Sequence, residues 1–340
     1  MVKINDSLDL RPLPGATFGG LARVSGAVDA AVEALEADPD PLLRAFYDSD
    51  GLLVLPAMHA ISDRPDLLLR LSRLFGPEVE DYRRTLTERS MIHDAVSEIF
   101  IVANRPPVNR APPARPEPPY TEDGGLPVQF PHRRGWHTDQ SFRRPPPDIS
   151  LFYAVTPAPR GQGQTLYANG IAAYAALSPA LKERVEGLEG IHVLPGKGRS
   201  EQAVRAGEIP EALEPHQRPQ RQPVVRVHPV TGKRALYLCE AGQMDWIEGP
   251  FVGMQPGPDG DGAALLYELM RHFTQPRFVH VQEWSAGDLV IYDNRSLIHA
   301  ATWFDAEAHG RVMWRTTVRG NPGDAYTGES RSWIPEAATG

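Results

Sequence analysis

A histidine and an aspartate stand two positions apart in the segment Gly135-Trp136-His137-Thr138-Asp139. In an extended strand such residues point to the same side, with Cα atoms roughly 6.5 to 7 Å apart, so both could ligate one metal ion. One further histidine would complete a 2-His-1-carboxylate facial triad, which leaves coordination positions open on iron(II). The H-x-D pattern alone occurs by chance in many proteins and identifies no site.

His299 is the histidine whose context best suits a third ligand. It follows an apolar strand pattern at residues 289–292, and its neighbours Leu297 and Ile298 predict a buried side chain. The chain contains 11 histidines, and several of the others are expected to be surface or structural residues: His59, His93, His216, His272 and His309.

A strongly alternating segment near the C-terminus places two arginines on one face. Val312, Trp314 and Val318 share the apolar face, and Arg311 and Arg315 lie on the other. The arginine face is either a solvated edge or the wall of an anion-binding cavity, and alternation alone favours the solvated edge. A buried arginine would need a carboxylate partner, which its guanidinium can grip through two hydrogen bonds.

The elements that must position these residues are short strands with helices between them. Helical spacing and capping residues predict helices at 27–37, 41–47, 67–75, 171–177, from 178 onwards, and at 262–273. Apolar β-favouring runs predict strands at 51–55, 149–155, 224–230, 234–239, 289–292 and 312–318. This order favours an antiparallel barrel or a double-sheet jelly roll over a doubly wound parallel sheet.

Two stretches read as long loops. The segment 105–125 begins with a proline-rich run, and proline lacks a backbone donor, so an extended loop is predicted there and a second one at 196–223. The first is either a solvated surface loop or a lid over a pocket. Strand patterns resume after each, so residues 1–340 are predicted to form a single domain.

Composition narrows the class of partner. The formal net charge of -8 disfavours a nucleic-acid-binding face, and the single cysteine, Cys239, excludes a disulfide framework. Met1 to Leu10 lacks a signal-peptide profile, and no apolar run approaches the roughly 20 residues of a membrane span. The expectation is a cytoplasmic protein with a small-molecule substrate and without nucleic-acid or membrane partners. Homo-oligomerisation stays open.

Taken in order along the chain, the motifs resemble the taurine dioxygenase / 2,4-dichlorophenoxyacetate dioxygenase superfamily of Fe(II)/2-oxoglutarate-dependent oxygenases. The resemblance covers most of the chain from residue 51 to 320, with about 160 residues between the H-x-D pair and the distal histidine. It runs through residues 136–139, 163–167, 170–174, 228–232, 293–295 with His299, and 311–315.

The resemblance implies a mainly β fold with peripheral helices, the double-stranded β-helix or jelly roll. It implies that His137, Asp139 and His299 bind Fe(II), and that Thr165 and Arg311 hold the distal carboxylate of the co-substrate 2-oxoglutarate. The implied activity is O₂-dependent hydroxylation, with or without cleavage of a carbon–heteroatom bond, giving succinate and CO₂.

Four residues are expected to contact the substrate: Arg315, Asp81, Tyr82 and Gln140. Arg315 matches a family position that often meets an anionic group, which favours an acidic substrate. Asp81 stands where the taurine enzyme has a histidine that helps to bind the sulfonate. A carboxylate there would repel a sulfonate, so taurine itself is disfavoured.

Two other functions remain open from the residues alone. A zinc-dependent hydrolase could also use two histidines and an aspartate, although it would not need Thr165 and Arg311. A non-catalytic jelly-roll binding protein could keep the fold without the chemistry.

Overall fold

The computed structural model of the chain describes residues 2–5, 8–85, 87–128, 135–143, 146–240 and 242–319. The strands are β1 (Val2–Asn5), β2 (Leu8–Pro12), β3 (Gly20–Val24), β4 (Leu52–Leu55), β5 (Phe100–Arg105), β6 (Val108–Asn109), β7 (Ile149–Thr156), β8 (Thr165–Asn169), β9 (Glu189–His192), β10 (Gln220–Pro223), β11 (Val225–Val227), β12 (Arg234–Leu236), β13 (Val279–Gln282), β14 (Leu289–Asp293), β15 (Leu297–Ala301) and β16 (Val312–Val318). The helices are α1 (Val28–Ala37), α2 (Asp40–Asp48), α3 (Ala60–Asp63), α4 (Asp66–Arg73), α5 (Gly170–Ala175), α6 (Pro179–Val185), α7 (Glu201–Arg205) and α8 (Asp261–Phe273). Every described helix is too short or too polar to cross a membrane.

The larger sheet supplies one wall of the molecule. In the described part of the chain its nine strands run in the order β1-β2-β3-β4-β14-β7-β16-β5-β6. Neighbouring strands are antiparallel, apart from the parallel pair β3 and β4. The central strands β14, β7 and β16 are largely buried along both faces, because the sheet is covered on both sides.

A smaller sheet faces the larger one. Its three described strands are ordered β13-β8-β15, and both pairs are antiparallel. A buried apolar cluster joins the two sheets through side chains from each, among them Val290, Tyr292 and Met313 from the larger sheet and Tyr167 and Leu297 from the smaller one. The space between the sheets is therefore an interior, and polar groups placed there are removed from water.

Helices cover the outer face of each sheet. Helices α1, α2 and α4 pack their apolar stripes against the outer face of the larger sheet. There they contact a buried cluster that includes Leu151 of β7, Ile291 of β14 and Trp314 of β16. Helices α5 and α8 cover the smaller sheet through a second cluster that includes Leu166, Ile298 and Phe273. The result is a four-layer arrangement in which the strands β7, β8, β14, β15 and β16 lie at the centre.

Most predicted elements are close to those observed, with two corrections. The segment 196–223 is not one loop, since it contains α7 and β10, and β10 pairs with β9. The hairpin at 224–239 has shorter strands than predicted, because only Val225–Val227 and Arg234–Leu236 are paired. The loop predicted at 105–125 from its prolines is largely observed, since after β6 the segment has no further helix or strand within the described residues.

Candidate metal centre and its cavity

His137, Asp139 and His299 come together between the two sheets. His137 and His299 form an isolated antiparallel bridge in which the His137 N–H donates to the His299 carbonyl at 2.9 Å and the reverse bond measures 2.7 Å. One ligand-capable atom from each of the three side chains lies within 4.8 Å of the others. As predicted, His299 is buried, with 8% of its surface exposed.

Both imidazoles are held in a form that can ligate a metal. The Nδ1 of His137 lies 2.7 Å from the Gly135 carbonyl, which can only accept, so Nδ1 carries the proton and Nε2 has a free lone pair. Burial lowers the pKa of His137, and burial together with the neighbouring His137 lowers the pKa of His299 to about 3. Neutral imidazole is the form that binds a divalent cation.

The carboxylate of Asp139 is oriented by three donors. Its Oδ2 accepts from the hydroxyls of Ser150 and Tyr292, each at 2.8 Å. Its Oδ1 is ion-paired with Arg315 and lies 3.9 Å from Nε2 of His299. Because Oδ2 is occupied by two hydroxyls, Oδ1 is the oxygen that faces the space between the histidines.

Asp139 is ionised despite being 2% exposed. Burial raises its pKa, but the charge of Arg315 and the hydrogen bond from Tyr292 hold the pKa well below its usual range. Two neutral imidazoles and one carboxylate are the donor set of the iron(II) facial triad, so these residues fit that metal.

A further layer of hydrogen bonds supports the aspartate. The side-chain oxygen of Asn294 accepts from the Asp139 N–H at 3.1 Å, and its amide nitrogen donates to the Ser150 hydroxyl at 2.9 Å. Sequence reasoning assigned no role to Ser150, Tyr292 or Asn294. For Ser150 a signal was present, since it is a polar residue in the otherwise apolar strand β7.

Replacing Ser150 with alanine should weaken metal binding about 10- to 100-fold, the usual cost of losing a group that orients a ligand. The carboxylate would lose one of its two donors on Oδ2, and the buried Asn294 amide would lose its acceptor. Iron(II) affinity would be measured by competition with a coloured chelator.

The matched control is Ser72→Ala, which removes an equally buried hydroxyl that bonds the Leu68 carbonyl and Thr316, away from the metal centre. If both variants bind iron like the unmodified protein, or if both lose it equally, Ser150 has no orienting role.

A cavity of about 370 Å³ opens beside the three side chains. Its walls come from both sheets, and the lining residues that bear on the chemistry are His137, His299, Thr165, Tyr292, Arg311 and Arg315. Arg315 on β16 and Arg311, which directly precedes this strand, therefore face a cavity and not solvent, which corrects the interpretation that alternation alone favoured. Alternation defines the face but says nothing about the smaller sheet that covers it.

Arg311 is buried without a carboxylate partner among the described residues. It is 7% exposed, and its Nε and Nη2 have no hydrogen-bond partner there. Burial lowers its pKa to about 10. Thr165, 3% exposed, lines the same cavity and accepts from Trp284 Nε1 at 3.1 Å, so its own hydroxyl hydrogen is left to donate. Together they suit an acidic group of a ligand.

The expected substrate contacts lie at different distances from this cavity. Arg315 lines it, ion-pairs with Asp139 and lies over the Phe100 ring, 5.2 Å from the centroid. Tyr82 is buried behind that ring, with its hydroxyl 3.0 Å from the Thr317 hydroxyl.

Asp81 and Gln140 are not among the described residues that line the cavity. Asp81 accepts from the Arg83 N–H at 3.1 Å and caps a 3₁₀ turn at Tyr82–Arg84. Gln140 occupies a turn with a φ of 48° directly after Asp139. A contact of either residue with the substrate stays a prediction.

The proline-rich segment forms part of the cavity mouth. Arg110, Ala111, Pro112 and Pro113 line it. Arg115, further along, lies over the Trp303 ring at 4.9 Å from the centroid. The sequence suggested that this segment could be a lid, but it gave no indication that Arg110 lines the cavity.

Comparison with known proteins identifies related chains. The family model described as "Taurine catabolism dioxygenase TauD, TfdA family" matches residues 9–317. Alpha-ketoglutarate-dependent 2,4-dichlorophenoxyacetate dioxygenase from Burkholderia sp. (strain RASC) is 31% identical over 54% of this chain and 57% of that protein. Alpha-ketoglutarate-dependent sulfate ester dioxygenase from Pseudomonas putida is 33% identical over 54% and 59%, so these alignments span little more than half of either relative. Pentalenolactone F synthase from Streptomyces arenae is 27% identical over 90% and 93%.

Solved structures share the fold over nearly the whole chain. A taurine dioxygenase from Burkholderia xenovorans superposes with a TM-score of 0.61 at 23% identity, covering 96% of both chains. AAD-2 in complex with Mn(II) and N-oxalylglycine gives a TM-score of 0.59 at 24% identity, covering 92% of this chain and 98% of that one.

Proposed function

The chain belongs to the TauD/TfdA dioxygenase family, and on that premise we propose that it is an iron(II)- and 2-oxoglutarate-dependent dioxygenase that oxidises a small organic acid. The observation that carries the proposal is the convergence of His137, Asp139 and His299 beside a buried arginine that lacks a carboxylate partner among the described residues. The first three would hold iron(II), and Arg311 would hold 2-oxoglutarate.

Iron(II), when bound, supplies the activation of O₂, which converts 2-oxoglutarate to succinate and CO₂ with one oxygen atom and hydroxylates a substrate C–H bond with the other. The residues of this chain bind, orient and shield the reactants. Ser150, Tyr292 and Arg315 fix the Asp139 carboxylate. The interior position between two sheets keeps bulk water away from the reacting groups.

The distal carboxylate of 2-oxoglutarate is the ligand that suits Arg311 and Thr165. A guanidinium can donate two hydrogen bonds to a carboxylate, and Arg311 has buried Nε and Nη2 groups that are unpartnered among the described residues. Thr165 would add a hydroxyl donor. Leaving such a guanidinium unpaired in the interior is costly, so the site is built for an anion.

An acidic prime substrate is supported by the charges at the cavity and by the relatives' names, which specify 2,4-dichlorophenoxyacetate and sulfate esters. Arg315 lines the cavity, and its Nε has no hydrogen-bond partner among the described residues, so it can donate to such a group. Because Asp81 caps a turn and does not line the cavity, its charge gives no reason to exclude sulfonates.

The finer architecture that we propose is a double-stranded β-helix in one domain. Support comes from the path of the chain, which passes from β7 in the larger sheet to β8 in the smaller one. It later alternates from β13 to β14, β15 and β16, changing sheet at each step. This alternation between facing antiparallel sheets is the pattern of a jelly roll.

A zinc-dependent hydrolase and a non-catalytic binding protein explain fewer of these features. Neither would need a cavity in which a buried, unpaired arginine and a threonine hydroxyl stand next to a 2-His-1-carboxylate group. A dioxygenase accounts for both features, because iron(II) would occupy the metal ligands and 2-oxoglutarate would occupy the anion site.

The test of the proposed function needs no prime substrate. Purified protein would be mixed with iron(II) without oxygen and titrated with 2-oxoglutarate while the visible spectrum is recorded. A weak metal-to-ligand charge-transfer band, absent when zinc replaces iron, is the expected result. Oxygen would then be admitted with a library of small acids, and succinate would be measured. Bound iron without the band, and no succinate from any compound, would contradict the proposal.

Arg115→Ala should loosen the cavity mouth. The exposed Arg115 cation over the half-buried Trp303 ring stabilises the docked segment by about 0.5 to 1 kcal/mol, which corresponds to about a two- to fivefold change in the opened population. Trypsin would be used to measure cleavage after Arg110, which is followed by Ala111. Arg115 precedes Pro116 and is a poor trypsin site, so its loss removes no competing cleavage site.

The control is Arg115→Lys, which keeps a cation and should be cleaved at nearly the original rate. Equal cleavage rates in all three proteins would exclude a docked segment.

A further inference from the structure

The three arginines that line the cavity differ in the anionic group that each one is paired with. Arg315 is ion-paired with Asp139. Arg311 is deeply buried beside Thr165, and under the proposed function it receives 2-oxoglutarate. Arg110 is exposed at the mouth, and no ion pair to it is found among the described residues, although Asp139 acts on it electrostatically. Of the described cavity arginines, Arg110 is therefore the one that has neither an ion pair within the protein nor a proposed contact with the co-substrate.

The backbone fixes Arg110 at this position. Strand β6 pairs with the end of β5, and the Arg110 N–H donates to the Ala103 carbonyl at 2.9 Å. Ala103 lies opposite Val312, so Arg110 is attached to the strand pair β5 and β16, which carries Arg315 and begins directly after Arg311. The prolines that follow at 112 and 113 restrict the chain further. A cation presented on such a rigid frame binds an anion with little loss of backbone entropy.

The charges leave the cavity positive when the reactants are bound. Iron(II) and the dianion 2-oxoglutarate balance each other, and so do Asp139 and Arg315. Arg311 and Arg110 then leave excess positive charge, of which only Arg110 lies at the mouth, where a second reactant enters. An anion is the ligand that offsets such a charge best.

We infer that Arg110 is the specificity-determining residue for the prime substrate: it binds an acidic group that stays at the cavity mouth while the C–H bond to be oxidised points inward. This inference rests on the proposed function and names the substrate class as organic acids whose carboxylate, sulfonate or sulfate is separated from the reacting carbon.

The experiment compares acids with neutral partners of the same shape. Acids that yield succinate in the library screen would be paired with their primary amides, and dissociation constants would be measured anaerobically from the change that each compound causes in the charge-transfer band. Arg110→Ala should weaken binding of the acids by on the order of 10-fold, the scale of a hydrogen bond to a charged group. Binding of the amides and of 2-oxoglutarate should hardly change. Arg110→Lys should restore part of the affinity, and Arg110→Glu should lower it further.

The matched control is Arg221→Ala, which removes the same charge from an exposed position on β10, outside the cavity lining. A second readout uses the metal-free protein: the rise in thermal midpoint caused by each acid should be reduced in Arg110→Ala and unchanged in Arg221→Ala. This readout would also report on Arg110 if the charge-transfer band and succinate were absent, which is how failure of the proposed function would be recognised separately.

Three results would overturn the inference. The unmodified protein could oxidise the neutral compounds in preference to the acids. Arg110→Ala could bind acids as tightly as the unmodified protein does, while still forming the band with 2-oxoglutarate. Arg110→Ala could instead raise the 2-oxoglutarate requirement, which would place this arginine on the co-substrate.

Discussion

Replacing His299 with alanine should abolish both iron(II) binding and succinate formation. The side chain supplies one of the three ligand atoms that lie within 4.8 Å of one another, and its loss leaves only two of these ligands. Losing a group that merely orients a ligand lowers affinity about 10- to 100-fold, so losing the ligand itself should cost more. Iron content after gel filtration and succinate release with the best acid substrate would measure the two effects.

The fold should survive this substitution, because the bridge to His137 uses backbone atoms that alanine retains. Circular dichroism would verify this. His59→Ala is the matched control, since this exposed histidine lies outside the described cavity lining. A His299→Ala protein that retains iron and still forms succinate would remove His299 from the metal centre.

Arg311→Ala should raise the 2-oxoglutarate concentration needed for half-maximal succinate formation by roughly 30-fold to several thousand-fold. Truncating one partner of a buried, hydrogen-bonded charge pair costs about 2 to 5 kcal/mol, and each 1.4 kcal/mol is about tenfold in affinity. The upper part of this range is reasonable because Arg311 is only 7% exposed. Affinity for iron(II) should change much less, since none of the hydrogen bonds or ion pairs among the described residues joins the Arg311 side chain to His137, Asp139 or His299.

Two comparisons separate this role from general damage to the cavity. Arg311→Lys should recover part of the affinity, because it restores the charge but not the two-pronged geometry. Arg315→Ala should impair the prime substrate more than 2-oxoglutarate. If the two arginine variants show the opposite ranking, their assignments to co-substrate and substrate must be exchanged.

The sequence predicted those parts of the site that depend on local periodicity. The buried environment of His299 and the shared face of Arg311 and Arg315 follow from the alternation of strands, and both are observed. His137 and Asp139 do converge with His299, but His137 lies in an isolated bridge and Asp139 in a turn, so the pair is not carried by one continuous strand as predicted. The family resemblance inferred from the ordered motifs is confirmed by the match over residues 9–317.

What the sequence left undetermined depends on contacts between distant elements. Whether Arg315 meets water or a cavity is decided by the smaller sheet. The sequences of its strands β13 and β15 do not indicate which residues of the larger sheet they cover. Asn294 supports Asp139 across about 155 residues, and no local pattern encodes that pairing. Arg110 was overlooked because a proline-rich run predicts a loop but not the surface on which the loop docks.

The cavity is lined partly by strands of the two sheets and partly by a loop, and this difference has an evolutionary consequence. His299 and Arg315 lie on the paired strands β15 and β16, and Arg311 directly precedes β16, whereas residues 110–113 follow β6 in a segment without helix or strand. Loops tolerate exchange far better than the strands that they connect. Natural selection, or a directed-evolution library restricted to this rim, can therefore alter which acid is accepted while the oxidising machinery and the stability of the fold are inherited unchanged.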